Sequence, residues 1–111
     1  MTGPEKETLT GKILNPADLV AYQGGSIVSR MLVYKKSGTI TLFAFDAGEG
    51  LSEHTAPYDA ILTVLDGEAT VTIAGAEHLL KAGELIIMPA NIPHAVKATD
   101  RFKMMLTMIH E

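Results

Sequence analysis

A chain of 111 residues, 47% apolar and 20% charged, has enough material for one domain with a buried core and no room for a second. Nine Lys and Arg against thirteen Asp and Glu leave a net charge of −4, without the concentrated cationic face that a nucleic acid partner requires. The absence of cysteine excludes disulfides, thiolate metal sites and a cysteine nucleophile, and leaves a bound metal to nitrogen and oxygen ligands.

In chain order, residues 1 to 12 (MTGPEKETLTGK) are polar and aperiodic, which predicts a mobile tail or an edge strand. The segment lacks the apolar core of a signal peptide. The longest apolar runs are about five residues against the roughly 20 that a membrane helix needs, so no membrane partner and a cytoplasmic location are expected. NPADLVAY carries the one helical signal: Asn15 can cap, Pro16 suits the first helical position and Asp18 favours the first turn. Gly24-Gly25 reads as that helix's stop. The expected organisation is a tail and short helix over 1–24 and a β domain over 25–111.

From Ser26 the chain reads as about eight short strands: SIVSRMLVY, TITLFAF after the turn KKSG, AILTVL, ATVTIA, a short HLL, ELIIMP, HAVKA and FKMMLTMI. Turn chemistry separates them at Asp66-Gly67, Ala74-Gly75, Ala82-Gly83 and Thr99-Asp100. Strands spaced by about 8 to 12 residues with no crossover helices predict an all-β sandwich or barrel. Alternation puts Ile40, Leu42 and Ala44 on one face and Phe43 and Phe45 on the other. It likewise opposes Ala60, Leu62 and Val64 to Ile61, Thr63 and Leu65. Extended backwards without a bulge, the Ala60 set takes in His54, Ala56 and Tyr58. Both faces are largely apolar, as in a sheet that closes or is covered on both sides.

Serine hydrolysis is excluded by the missing G-x-S-x-G elbow, and no glycine-rich phosphate cradle is present. Most carboxylates fall at turns or charged edges and do not form a glycosidase pair. His78 reads as an edge or turn residue and His110 as solvated. The six methionines read as irregular core filling, with Met104, Leu106 and Met108 sharing a strand face able to line a ligand cavity.

Two stretches remain. Gly48-(x5)-His54 closes at Gly67, and Gly83-(x5)-Pro89 leads to His94. Each puts one histidine beside an apolar run. In these residues the chain resembles the cupin superfamily, whose motifs run G-x5-H-x-H-x3/4-E-x6-G and G-x5-P-x-G-x2-H-x3-N. The resemblance spans roughly residues 25 to 110 and implies a jelly-roll β-barrel, in which three His and one Glu typically hold a divalent ion. It also implies a homodimer, for which SIVSRMLVY is the expected interface strand because sheet edges and doubly apolar strands need covering.

The chain departs from those motifs at Ala56 (second His), Ala60 (Glu), Asn91 (Gly) and Ala98 (Asn). Two imidazoles alone hold a divalent ion poorly, so Zn, Ni, Fe or Mn is expected weakly held or absent. Asp59 and Glu53 alternate to the wrong face for a third ligand unless a bulge intervenes, and Tyr58 has the right parity. Two functions stay open. One is a small-molecule-binding barrel with a degenerate site of His54 and His94, its ligand touching Tyr58, Leu62, Val64, His94 and Met104. The other is a metal-dependent dioxygenase or isomerase in which His54 and His94 are joined by a non-standard third ligand.

Overall fold

The computed structural model describes residues 9–111. The tail expected over residues 1–12 lies outside the described residues up to residue 8; residues 9–12 form a turn closed by Lys12 N–H donating to the Leu9 carbonyl. Asn15 caps a single 3-10 turn, Pro16–Leu19, its side chain accepting from Ala17 N–H. This is the expected helix reduced to one turn, because Val20 is already extended. Gly25 does not stop it: at φ +68° it bends the chain into the first strand and donates its N–H to Asp46.

Eight antiparallel strands follow: β1 Ile27–Lys35, β2 Gly38–Phe45, β3 Gly50–His54, β4 Asp59–Ile73, β5 Ala76–Lys81, β6 Leu85–Met88, β7 His94–Lys97 and β8 Phe102–Ile109. They form one curled sheet in the order β1-β2-β8-β4-β7-β3, with β5 and β6 also on β4, which is the all-β barrel architecture expected. Two details differ from the strand pattern read in the sequence. AILTVL and ATVTIA are one strand, β4, and Gly50–His54 is a strand of its own rather than a backward extension of β4.

Asp66-Gly67 reads as a turn because it supplies a left-handed residue, and here that residue makes a bulge. The register against β8 shifts between Val64 and Asp66, and Gly67 sits at φ +73°. A Cβ on Gly67 would come within 2.2 Å of the Arg101 carbonyl oxygen, so only glycine lets β4 pass β8 this closely. The bulge also flips parity. Ala60, Leu62 and Val64 point inward before it, and Ala69 and Val71 after it. The first half of β4 pairs with β6 and β8, the second with β5 and β7, so one strand serves both walls of the barrel.

Inside, the Phe45 and Phe102 rings stack at 4.6 Å and, with Ala69 and Ala98, fill the end of the barrel beside the bulge. Outside, Leu42 and Ala44 are covered by Leu19, Val20 and Tyr22 of the N-terminal segment. That segment is tied down by polar contacts. The Tyr22 hydroxyl donates to Asp66 (2.5 Å), Lys103 Nζ donates to the Ala17 carbonyl (2.6 Å), and the cations of Arg101 and Lys103 lie over the Tyr22 ring. Beside them, the Gly25 N–H, Arg101 Nε and the Ala47 backbone N–H donate to Asp46 and hold its carboxyl down at about 2. These contacts cluster at the bulge end and leave the opposite end of the barrel to the histidines.

Candidate functional site

His54 closes β3 and His94 opens β7, and the two are direct cross-strand partners. They are therefore neighbours on one wall and do not face each other across the lumen. Their rings meet edge to face, centroids 4.4 Å apart. A register shift between Leu51 and His54 turns both of these residues inward, although an odd spacing would normally put them on opposite faces. The bend after β3 is clamped from the second motif: Asn91 N–H donates to the Ala56 carbonyl (2.7 Å), and Ala90 N–H to Asp59 Oδ1 (2.9 Å). Asn91 does this at φ +65°, a left-handed conformation that asparagine tolerates, so the asparagine keeps the turn that a glycine would make.

The pair opens on a cavity of about 50 Å³. Leu51 and Val96 wall it on the histidine side, Ala60, Leu62 and Met88 along β4 and β6, and Met104, Leu106 and Met108 along β8. The imidazoles are its polar groups. His54 Nδ1 lies 2.8 Å from the Ser52 carbonyl oxygen and His94 Nδ1 3.1 Å from that of Ile92. A carbonyl oxygen only accepts, so each Nδ1 carries the proton, and in the neutral ring Nε2 is left as a bare acceptor. His94 is 4% exposed. Burial holds its pKa below the ordinary 6.5; the Ile92 hydrogen bond works against that shift and the proximity of His54 adds to it.

Of the residues singled out in the sequence, His54, Leu62, His94, Met104, Leu106 and Met108 share this cavity. Val64 is buried in the adjoining core and does not line it. Tyr58 lies outside, its ring 4.1 Å from His110, in a surface hollow with Pro57, Asp59 and Ala90. Met88, read from the sequence as core filling, lines the cavity, and so do Leu51 and Val96, which the sequence did not single out. Val96 was reachable by parity from His94, whereas Met88 enters through the β4–β6 pairing, which no local signal reveals.

The donor set does not fit the four-ligand metal site that the motif resemblance implies. Ala56 and Ala60 line the cavity where the second histidine and the glutamate would stand. Asp59 is engaged by Ala90, Glu53 is exposed, and Tyr58 is outside. Among the described residues no three of His, Cys, Asp and Glu are grouped so as to hold a metal.

Burial of His94 has a consequence for stability. The unfolded chain takes up a proton at about 6.5 before the folded one does, so stability is full above that pH and declines below it until the lowered folded pKa is passed. The melting temperature of the wild type should fall between about pH 7 and pH 5, and His94→Gln should flatten that limb. An identical decline in both proteins would mean that another group titrates.

The cupin domain family matches residues 41–110. A conserved protein of unknown function from Streptococcus pyogenes is 35% identical, with a TM-score of 0.86 over 91% of this chain and 89% of that one. A cupin 2 conserved barrel domain protein from Leptotrichia buccalis is 47% identical, with a TM-score of 0.81 over 84% of this chain and 45% of that one. A cupin superfamily protein from Desulfitobacterium hafniense is 27% identical, with a TM-score of 0.86 over 92% and 94%. None of the curated proteins compared matches the chain. The two glycine-led motifs, the sheet curled about the bulge in β4 and these likenesses agree, and the chain belongs to the cupin superfamily.

Proposed function

We propose that this cupin binds a small molecule in the cavity beneath His54 and His94. The observation that carries the reading is the pair of Nδ1 hydrogen bonds, which hold both rings and leave each Nε2 a free acceptor on two residues that line an otherwise apolar pocket. Such a site takes a ligand with a hydroxyl or N–H group for the imidazoles and a short apolar body for Met104 and Leu106. The cavity volume holds it to a few heavy atoms unless the methionine side chains shift, which their flexibility allows. A metal-dependent enzyme would draw on the same two imidazoles, but among the described residues no hard third ligand joins them, which favours binding over catalysis at a divalent ion.

Screening short-chain alcohols and amides by ligand-observed NMR tests this reading. Hits should lose about five- to tenfold in affinity with either His54→Ala or His94→Ala, the equivalent of roughly 1 kcal/mol for one hydrogen bond. Hits indifferent to both substitutions would overturn it.

We further propose a cytoplasmic homodimer. The location rests on the sequence alone. Support for the dimer comes from the nine-residue edge strand β1 and from the outer face of the same wall, where Leu85 and Ile87 are each 57% exposed and Ile109 46%. Light scattering at tens of micromolar should give twice the chain mass, and a monomer would contradict the proposal.

A further inference from the structure

Three thioethers share the cavity with the two imidazoles. Met88 on β6 and Met108 on β8 are both in direct register with Ala60 of β4, one on each side of it. Met104 stands four residues before Met108 on β8, on the same face. All three line the cavity, and Met88 and Met104 are 2% and 0% exposed. Ala60 occupies the glutamate position of the motif. Where a carboxylate would have offered hard oxygen, a methyl group leaves room that soft sulfur flanks from both neighbouring strands.

Coordination chemistry and charge point the same way. Thioether and imidazole donors favour Cu(I), whereas hard divalent ions favour carboxylate and water. None of the residues lining the cavity is acidic. In a site of neutral donors the cost of desolvating an ion grows as the square of its charge, so a monovalent ion costs about a quarter of what a divalent one does. The sequence leaves metal to nitrogen and oxygen ligands and reads the methionines as core filling; the cavity wall puts sulfur back among the available donors.

We propose that this cavity is a Cu(I) site, with the Nε2 atoms of His54 and His94 and the thioethers of Met88 and Met108 as its donors and Met104 adjoining them. The proposal goes beyond the small-molecule reading. The ligand needs the imidazole pair, and the ion needs the sulfurs as well.

The test is an anaerobic titration of the purified protein with Cu(I) in competition with the chromophoric chelator bicinchoninate. One equivalent of Cu(I) should be withdrawn, and the His78→Ala/His110→Ala variant should withdraw the same amount. The Met88→Leu/Met108→Leu variant, which conserves side-chain volume, should bind more than about a hundredfold more weakly, since losing a direct ligand exceeds the ten- to hundredfold effect of losing an outer-shell partner. On the wild type itself, Ag(I), a redox-inert stand-in, should shift the ε-methyl NMR signals of Met88 and Met108. Those of Met31 and Met105, which do not line the cavity, should stay in place. The proposal is overturned by no Cu(I) withdrawal, by withdrawal unchanged in the double leucine variant, by Zn(II) held as tightly as Cu(I), or by Ag(I) leaving Met88 and Met108 unshifted.

Discussion

The constraint on which this molecule depends is the passage of β4 from one wall of the barrel to the other at Asp66-Gly67. A strand that kept its parity would turn either Ala60, Leu62 and Val64 or Ala69 and Val71 out to solvent. The extra residue at the bulge brings both sets inward and gives β4 four partner strands. Glycine is required there because the backbone of β8 leaves no space for a Cβ. The contacts of Tyr22, Asp66, Asp46 and Arg101 gather at the same corner, so the closed end of the barrel is also its most heavily tied.

With that end fixed, the opposite end can hold features that cost stability. A buried imidazole with a lowered pKa and a cavity lined by methionines are both poorer for folding than a fully packed core. Each histidine is satisfied at Nδ1 by a carbonyl two residues before it in its own chain, so its orientation needs no help from neighbouring side chains. What remains is an Nε2 acceptor on each of two residues that line the cavity, in company with sulfur and aliphatic carbon. Alanine at positions 56 and 60 therefore leaves the barrel intact and strips its cavity of the hard donors that the motif would supply.

Much of the fold was legible because it depends on local rules. Period-two alternation separated Leu42 and Ala44 from Phe43 and Phe45, and the structure buries the two sets in different clusters. Asn15, Pro16 and Asp18 marked the 3-10 turn Pro16–Leu19. The reading faltered where one backbone conformation serves two purposes: Asp-Gly is a turn signal, yet at Gly67 the same left-handed glycine makes a bulge within a continuous strand. At the site, the spacings around Gly48 and Gly83 singled out His54 and His94. The bulge that turns Leu51 to the same side as His54 and the pairing that carries Met88 to Ala60 are set by non-local register, which periodicity does not encode. Tyr58 shares the parity of Ala60, but the bend between β3 and β4 carries it outside, against His110.

The central claim is that both imidazoles are held with the proton on Nδ1 and a bare Nε2 turned to the cavity. Long-range 1H–15N correlation of the histidine rings, recorded at about pH 8, above the ordinary imidazole range, reads this directly. The account predicts that His54 and His94 each show a protonated Nδ1 and an unprotonated Nε2, the reverse of the tautomer that free imidazole side chains favour in water. A proton on Nε2 of either ring would contradict it, because that nitrogen could then accept neither a ligand's hydrogen bond nor a metal ion.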